Sequence, residues 1–297
     1  MLRHVLSIRR LGREACWLLA QQTIGMRSAK ERSDFMLGRT AVLIFASLSL
    51  GERLCVTAAV RQMAGYIVYE SPHDSWREEL GRYQRQILPV FDYFVDCLYS
   101  YGLPLSAWDM EKAAPNFPVI NVGSPDAHPA HALADIACML RGSGDLKGVV
   151  AAWIGCDNGT LHSLIEATAF FPFALRVSLP PHVDAGPLKN AANRLQTPVS
   201  FVDTPENAVK GADYIFAGCS GEMDTEAMQV WRLDADIMRL AADGARVLLS
   251  ASPVHAITVE QSVFASTASL LTRQADYRLR VHKRILHWVF LENERAL

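Results

Sequence analysis

Gly148-Val149-Val150-Ala151-Ala152-Trp153-Ile154-Gly155 is an apolar run of strand length closed by glycine at both ends. A run without polar alternation predicts a strand covered on both faces, as in the middle of a parallel sheet. Downstream, Thr160 to Phe171 has helical spacing, and Ala174 to Leu179 is a second apolar run stopped by Pro180-Pro181. Strand, helix, strand in that order requires a crossover, so the two strands pair in parallel. The pattern continues with strands at Val199 to Val202, Ala212 to Phe216 and Ala245 to Ser250. Between the first two of these, Thr204-Pro205-Glu206-Asn207 supplies an N-cap, a first-turn proline and a first-turn acid.

Upstream, Thr40 to Phe45, Tyr66 to Tyr69 and Phe91 to Leu98 read as strands. Leu54 to Met63 and Trp76 to Leu88 read as helices, the latter ended by Pro89. The fold class is therefore α/β: two lobes, each a parallel sheet flanked by helices, with a C-terminal helix over Tyr277 to Phe290 crossing between them. Gly142-Ser143-Gly144 is the natural break. It divides the chain into a first domain over 1–141, a second over 142–272 and a C-terminal helix over 273–297 packing back on the first.

The 297 residues are half hydrophobic and one-fifth charged, with a formal net charge of -2. That balance gives no electrostatic reason to expect a nucleic-acid or membrane partner, and no apolar run reaches the roughly 18 residues of a spanning helix. The six cysteines show no CxxC pair or zinc spacing and lie in apolar contexts. They read as buried thiols of a cytoplasmic protein. The start of the chain is basic (Arg3, Arg9, Arg10, Arg13), but its apolar spacing reads as the first helices of the folded body rather than as a leader.

Between the lobes' main strands lies Asn121-Val122-Gly123-Ser124-Pro125-Asp126-Ala127-His128-Pro129-Ala130-His131-Ala132-Leu133-Ala134-Asp135. Pro129 suits a first helical position, and it puts His128 and His131 a turn apart at a helix mouth, where anionic oxygens are favoured. His128, His131 and Asp135 also share a face of metal-ligand type. No second cluster supplies further ligands, so neither a metal nor another cofactor is expected.

That segment resembles the His-Pro-x-Gln-x-Leu-x-Asp run of the aspartate and ornithine carbamoyltransferases, with His131 standing at their Gln. The similarity runs from end to end. Leu2-Arg3-His4-Val5-Leu6-Ser7 is similar to their Leu-x-x-Leu-Leu-Ser entry, and Gln274-Ala275-Asp276-Tyr277-Arg278-Leu279 to their Gln-Ala-Glu-Asn-Arg-Leu stretch, closer to the ornithine branch. The resemblance implies two α/β lobes assembled as a homotrimer with active sites at subunit boundaries. It also implies transfer of a carbamoyl group from a phosphate donor to an amine or amino-acid acceptor. Catalytic roles fall on His128 and Arg278, the groups placed to polarise a carbonyl.

The same comparison shows where the pocket departs from the pattern. The phosphate-gripping Ser-Thr-Arg-Thr-Arg becomes Ser49-Leu50-Gly51-Glu52-Arg53, and a further arginine of the family falls on Cys97. The acceptor loop becomes Gly218-Cys219-Ser220-Gly221-Glu222-Met223-Asp224, and the His-Cys-Leu-Pro turn becomes Ser250-Ala251-Ser252-Pro253. The acceptor-binding Asn falls at Gly159, beside Asn158. Substrate-binding roles are thereby carried to Ser49, Glu52, Arg53, His131, Asn158, Met223 and Ser252. Arg53 has a competing structural role, neutralising Glu52, and Arg278 has one in a salt bridge to Asp276 or to an interdomain carboxylate. Each lost arginine removes charge-assisted hydrogen bonds worth roughly 1.5–3 kcal/mol. These losses leave two readings: a divergent transferase with an altered donor site, or an inactive homologue serving as scaffold or regulatory partner.

Overall fold

The computed structural model describes residues 3–47, 49–70, 86, 88–104, 106, 115–218, 231–250 and 259–294. The chain divides into two compact units, Met1–Ala137 with Ala275–Leu297, and Cys138–Gln274. Each is built on a parallel sheet flanked by helices, the architecture expected from the strand–helix alternation.

In the first unit the strands are β1 (Thr40–Phe45), β2 (Tyr66–Glu70), β3 (Cys97–Tyr101) and β4 (Val119–Gly123), in the order β2-β1-β3-β4. Every residue of β1 after Thr40 is buried, and so is every residue of β4. That is the burial of a strand covered on both faces. The segment before α1 (Ile8–Gly25) joins the far edge, where Val5 N donates to Val119 O at 2.9 Å and Asn121 N to Val5 O at 2.7 Å. Helix α2 (Leu50–Gln62) follows β1, and α3 (Pro129–Ser143) follows β4.

The second unit carries β5 (Val150–Gly155), β6 (Ala174–Ser178), β7 (Val199–Phe201), β8 (Tyr214–Gly218) and β9 (Arg246–Leu249), in the order β7-β6-β5-β8-β9. Helices α4 (Gly159–Ala167), α5 (Gly186–Leu195), α6 (Pro205–Val209), α7 (Ala235–Met238) and α8 (Gln261–Phe264) connect or flank them. Trp153 is fully buried and stacks on Phe216 at 6.3 Å between ring centroids. The last helix, α9 (Leu271–Glu294), begins in the second unit and continues into the first. Among the described residues no helix is long and apolar enough to cross a membrane.

Several expectations need correction. Phe91 to Val95 is not strand: Phe94 N and Val95 N both donate to Phe91 O, at 2.8 and 2.9 Å, so local turns take the backbone groups a sheet would need. The strand begins later, at Cys97. Helix α2 starts at Leu50 rather than Leu54, because Ser49 caps it. Strand β4 and helix α5 were not anticipated at all. The helix read over Trp76 to Leu88 falls almost wholly outside the described residues. Cys156 is disulfide-bonded, so the all-thiol reading fails there. The backbones of β5 and β8 run unusually close at this end: a Cβ on Gly155 would lie 2.2 Å from Gly218 O.

Candidate active site

A cluster of ionisable side chains gathers at the C-terminal ends of the first unit's strands, where open α/β sheets bind their ligands. Three strand ends contribute. After β1 the chain turns at Ser49, whose side chain accepts from Glu52 N at 3.4 Å and so caps α2. This fixes Glu52 in the first helical turn, where the helix dipole favours a carboxylate. Strand β3 ends on Tyr101, stacked on Phe45 at 5.2 Å. Strand β4 delivers Asn121 and Gly123 to the turn that opens α3.

That turn is held by the buried Asn121. Its Nδ2 lies within hydrogen-bond reach of Leu6 O, Ser124 Oγ and Ala127 O (3.0, 3.2 and 3.2 Å), and its Oδ1 accepts from Gly123 N at 3.0 Å. A side-chain amide satisfying this many backbone groups fixes the loop without a regular element. Gly123 serves a different need. A Cβ there would sit 2.8 Å from the His128 ring and 2.9 Å from the Tyr101 ring, so glycine is what lets the two rings approach. His128 then precedes Pro129 at the helix mouth, and His131 follows one turn on. The imidazole centroids are 4.9 Å apart at 87°.

The fourth contributor is α9. Lys283 is buried, and its Nζ donates to Ala29 O at 2.7 Å, Glu31 O at 2.5 Å and Gln62 Oε1 at 2.6 Å, which pins the helix. Arg280 lies 2.7 Å from Asp276. Arg278 reaches the cluster, where Nη2 donates to His131 Nε2 and Nη1 lies 3.7 Å from Glu52 Oε1. Glu52 Oε1 is also 3.6 Å from His128 Nε2, and His131 Nε2 is 3.4 Å from the fully buried Asp135 Oδ2. Burial raises the Glu52 pKa. The hydrogen bond with His128, together with the charges of His128, Arg278 and His131, outweighs that and holds it well below the usual carboxylate range. The site therefore contains a desolvated carboxylate kept ionised by its neighbours.

Against known proteins, residues 3–141 match the family model described as aspartate/ornithine carbamoyltransferase, carbamoyl-P binding domain. Residues 147–289 match the model described as the Asp/Orn binding domain of the same group. The chain belongs to the aspartate/ornithine carbamoyltransferase family. An ornithine carbamoyltransferase of Nitratidesulfovibrio vulgaris is 29% identical over 98% of this chain and all of its own length. One of Oleidesulfovibrio alaskensis is 28% identical over 97% of this chain and 99% of its own. The same fold is seen in the ornithine carbamoyltransferase crystal structure from Burkholderia thailandensis, with a TM-score of 0.85, 24% identity and coverage of 97% of this chain and 98% of that one.

Within this carbamoyltransferase framework the anticipated site residues separate into three groups. His128, His131, Glu52 and Arg278 are brought together. Ser49, Arg53 and Asn158 make local contacts instead. Ser49 caps α2, and Asn158 Oδ1 caps α4 through Thr160 N and Leu161 N at 2.9 and 3.2 Å. Arg53 does not neutralise Glu52; its guanidinium lies over the Phe45 and Tyr69 rings, 5.6 and 5.7 Å from their centroids. Met223 and Ser252 lie outside the described residues. The arginine register on Cys97 is also displaced, since Cys97 opens β3 whereas the pocket lies at its other end. Tyr101 occupies that end, and sequence reading missed it together with Asn121, Gly123 and His282. The available signal was Gly102, which marks the strand's end one residue past Tyr101.

His282, a turn beyond Arg278, packs against Tyr99, with ring centroids 5.9 Å apart. Burial, with smaller contributions from His128 and Arg278, pushes its pKa from 6.5 down to about 4, although Glu52 acts the other way. The folded state thus keeps this imidazole neutral where the unfolded chain takes up a proton. The resulting stability is complete above the unfolded value of 6.5 and is lost as pH falls toward about 4. At 1.36 kcal/mol per unit, the loss is about 3 kcal/mol. Thermal unfolding of His282→Gln followed from pH 7 to 4 should show a correspondingly shallower acid slope than wild type. Parallel slopes would mean that the imidazole charges without penalty.

Proposed function

We propose that this chain is a transferase acting on an amine or amino-acid acceptor, with a donor pocket rebuilt around Glu52. The supporting observation is the Glu52 carboxylate itself, 3.6 Å from His128 Nε2 and 3.7 Å from Arg278 Nη1. There the resemblance leads one to expect a threonine hydroxyl on the donor phosphate. A fixed negative charge disfavours a free phosphate dianion in that place. It leaves intact the imidazole and guanidinium that a developing carbonyl oxyanion requires.

In the proposed reaction the acceptor nitrogen attacks the carbamoyl carbon while His128 and Arg278 face the carbonyl oxygen. The bond from carbon to the leaving oxygen then breaks, the leaving group keeps the electron pair, and the nitrogen gives up its proton to water or to that group. Orientation and charge stabilisation supply most of the acceleration in such a transfer. The acceptor class rests on the relatives named ornithine carbamoyltransferase. A homotrimer and a cytoplasmic setting belong to the same reading.

Purified protein supplied with ornithine, aspartate or other primary amines should form a ureido product only slowly from carbamoyl phosphate and faster from a carbamoyl donor of lower charge, and His128→Ala should lower either rate about 100-fold or more. Equal rates in wild type and variant would refute the assignment.

A second reading, an inactive homologue kept as scaffold or partner, is favoured by Ser49 and Asn158. Both have their side-chain oxygens engaged in helix caps. No product with any amine, together with co-purification of an active carbamoyltransferase, would establish it.

A further inference from the structure

Among the departures of this pocket from the family pattern, two are toward metal-binding side chains. His131 stands where the carbamoyltransferases carry Gln, and Glu52 stands where they carry Thr. The two lie on different helices, yet with His128 they bring two imidazoles and a carboxylate together. One ligand atom from each lies within 4.8 Å of the other two. Glu52 and His131 are buried and His128 is largely so. Sequence spacing alone could not reveal the third ligand, because it comes from α2 rather than from the His-Pro segment.

The donor set and its electrostatics suit a cation. Two imidazole nitrogens and one carboxylate oxygen form the three-ligand shell of zinc sites that keep an open position. A guanidinium only donates, so His131 Nε2 accepts from Arg278 through the lone pair that would otherwise hold a metal ion. The Glu52 carboxylate lies 3.7 Å from Arg278 Nη1, and the fully buried Asp135 carboxylate lies 3.4 Å from His131 Nε2. Arg278 bridges two of the three ligands, Nη2 to His131 and Nη1 toward Glu52, where a metal would sit.

We propose that Glu52, His128 and His131 form a binding site for a divalent ion of the zinc class, which takes the place of the Arg278 guanidinium between Glu52 and His131 and competes with the arrangement in which His128 and Arg278 face the donor. The inference rests on reading this pocket as the donor side, but its test needs no turnover.

Full-length protein stripped with chelator is dialysed against zinc chloride and the bound metal is counted by elemental analysis. In parallel, cobalt(II) chloride is added and its visible spectrum recorded. One equivalent per chain is expected, with a tetrahedral or five-coordinate cobalt spectrum lacking the thiolate charge-transfer band that cysteine ligation would give. Glu52→Gln and His131→Gln should each weaken binding by about 100-fold or more. Arg278→Met, which removes the competing cation, should tighten it by about tenfold. The gain in Arg278→Met and the wild-type cobalt spectrum guard against mistaking misfolded variants for lost ligands. Well under one equivalent in wild type, a thiolate band, or unchanged affinity in Glu52→Gln would overturn the site. Full metal loading of wild type together with no transfer by the stripped protein would uphold the site while removing the transferase reading. Transfer by stripped protein that takes up no zinc would do the reverse.

Discussion

Arg278→Met lowers the stability of the metal-free protein by about 4 kcal/mol at neutral pH, and adding Glu52→Gln to it restores most of the loss. The reason lies in the burial of Glu52, which is 6% exposed and faces both Arg278 and His128. Methionine keeps most of the arginine's volume but leaves the carboxylate with less compensation. Breaking one side of such a pair costs about 3–5 kcal/mol, chiefly through the charge left behind. Glutamine at position 52 has the same shape without that charge, so the double variant no longer contains the penalty. Glu52→Gln alone should therefore cost much less than Arg278→Met.

The sign also depends on pH. A carboxylate with a lowered folded-state pKa contributes stability above its ordinary value of 4.5 and loses it as pH falls below that. The gap between wild type and Arg278→Met should accordingly narrow in acid. Two units in one chain make a single two-state free energy doubtful, so calorimetric transitions are the proper readout. About 4 kcal/mol corresponds to roughly 10 °C for a cooperative unit of this size. An Arg278→Met transition within a degree or two of wild type, or no rescue by Glu52→Gln, would show that the carboxylate does not depend on the guanidinium.

This pairing also shows how far sequence reading reaches. Continuous apolar runs stopped by Gly or Pro located β5 and β6 to within two residues, because burial on both faces leaves no other composition. The same criterion misread Phe91 to Val95, where apolar residues are used in a turn. It overlooked β4, whose Asn121 and Gly123 make it look like loop. Those two residues are polar or small because the site needs them so. One organises the turn into α3, and the other lets two rings approach.

At the site, His128, His131 and Arg278 were legible because order and spacing along the chain suffice to place them. The direction of Glu52 was not. A residue in a first helical turn can face its own helix neighbours or the strand ends. In the structure Arg53 lies over the Phe45 and Tyr69 rings, while Glu52 faces His128 and Arg278. Tyr101 was missed for a related reason. A register that puts the matching position on Cys97 lies four residues from the strand end that forms the pocket.

If Glu52 is the group that keeps a phosphate donor out, its removal should admit one. In metal-free protein, Glu52→Thr binds carbamoyl phosphate about 100- to 1,000-fold more tightly than wild type. Unit charges at ~4 Å and an effective dielectric near 20 repel by about 4 kcal/mol, or nearly three decades in affinity. Salt screening lowers that figure somewhat. The freed Arg278 acts in the opposite direction, since its Nη1 no longer faces an internal carboxylate 3.7 Å away and can serve the ligand. Glu52→Gln separates charge from shape: if repulsion dominates it should recover most of the gain, and if bulk dominates it should recover little. Ligand-induced shifts in the calorimetric transition give the ranking directly, because a ligand at 100 times its Kd stabilises by about 2.7 kcal/mol. Tight binding by stripped wild-type protein, or a Glu52→Thr variant no better than wild type, would mean that this carboxylate turns aside when the donor enters. A hydroxyl at position 52 thus tests the proposed change of donor site without requiring the reaction to run, which makes it the more direct trial of what Glu52 does.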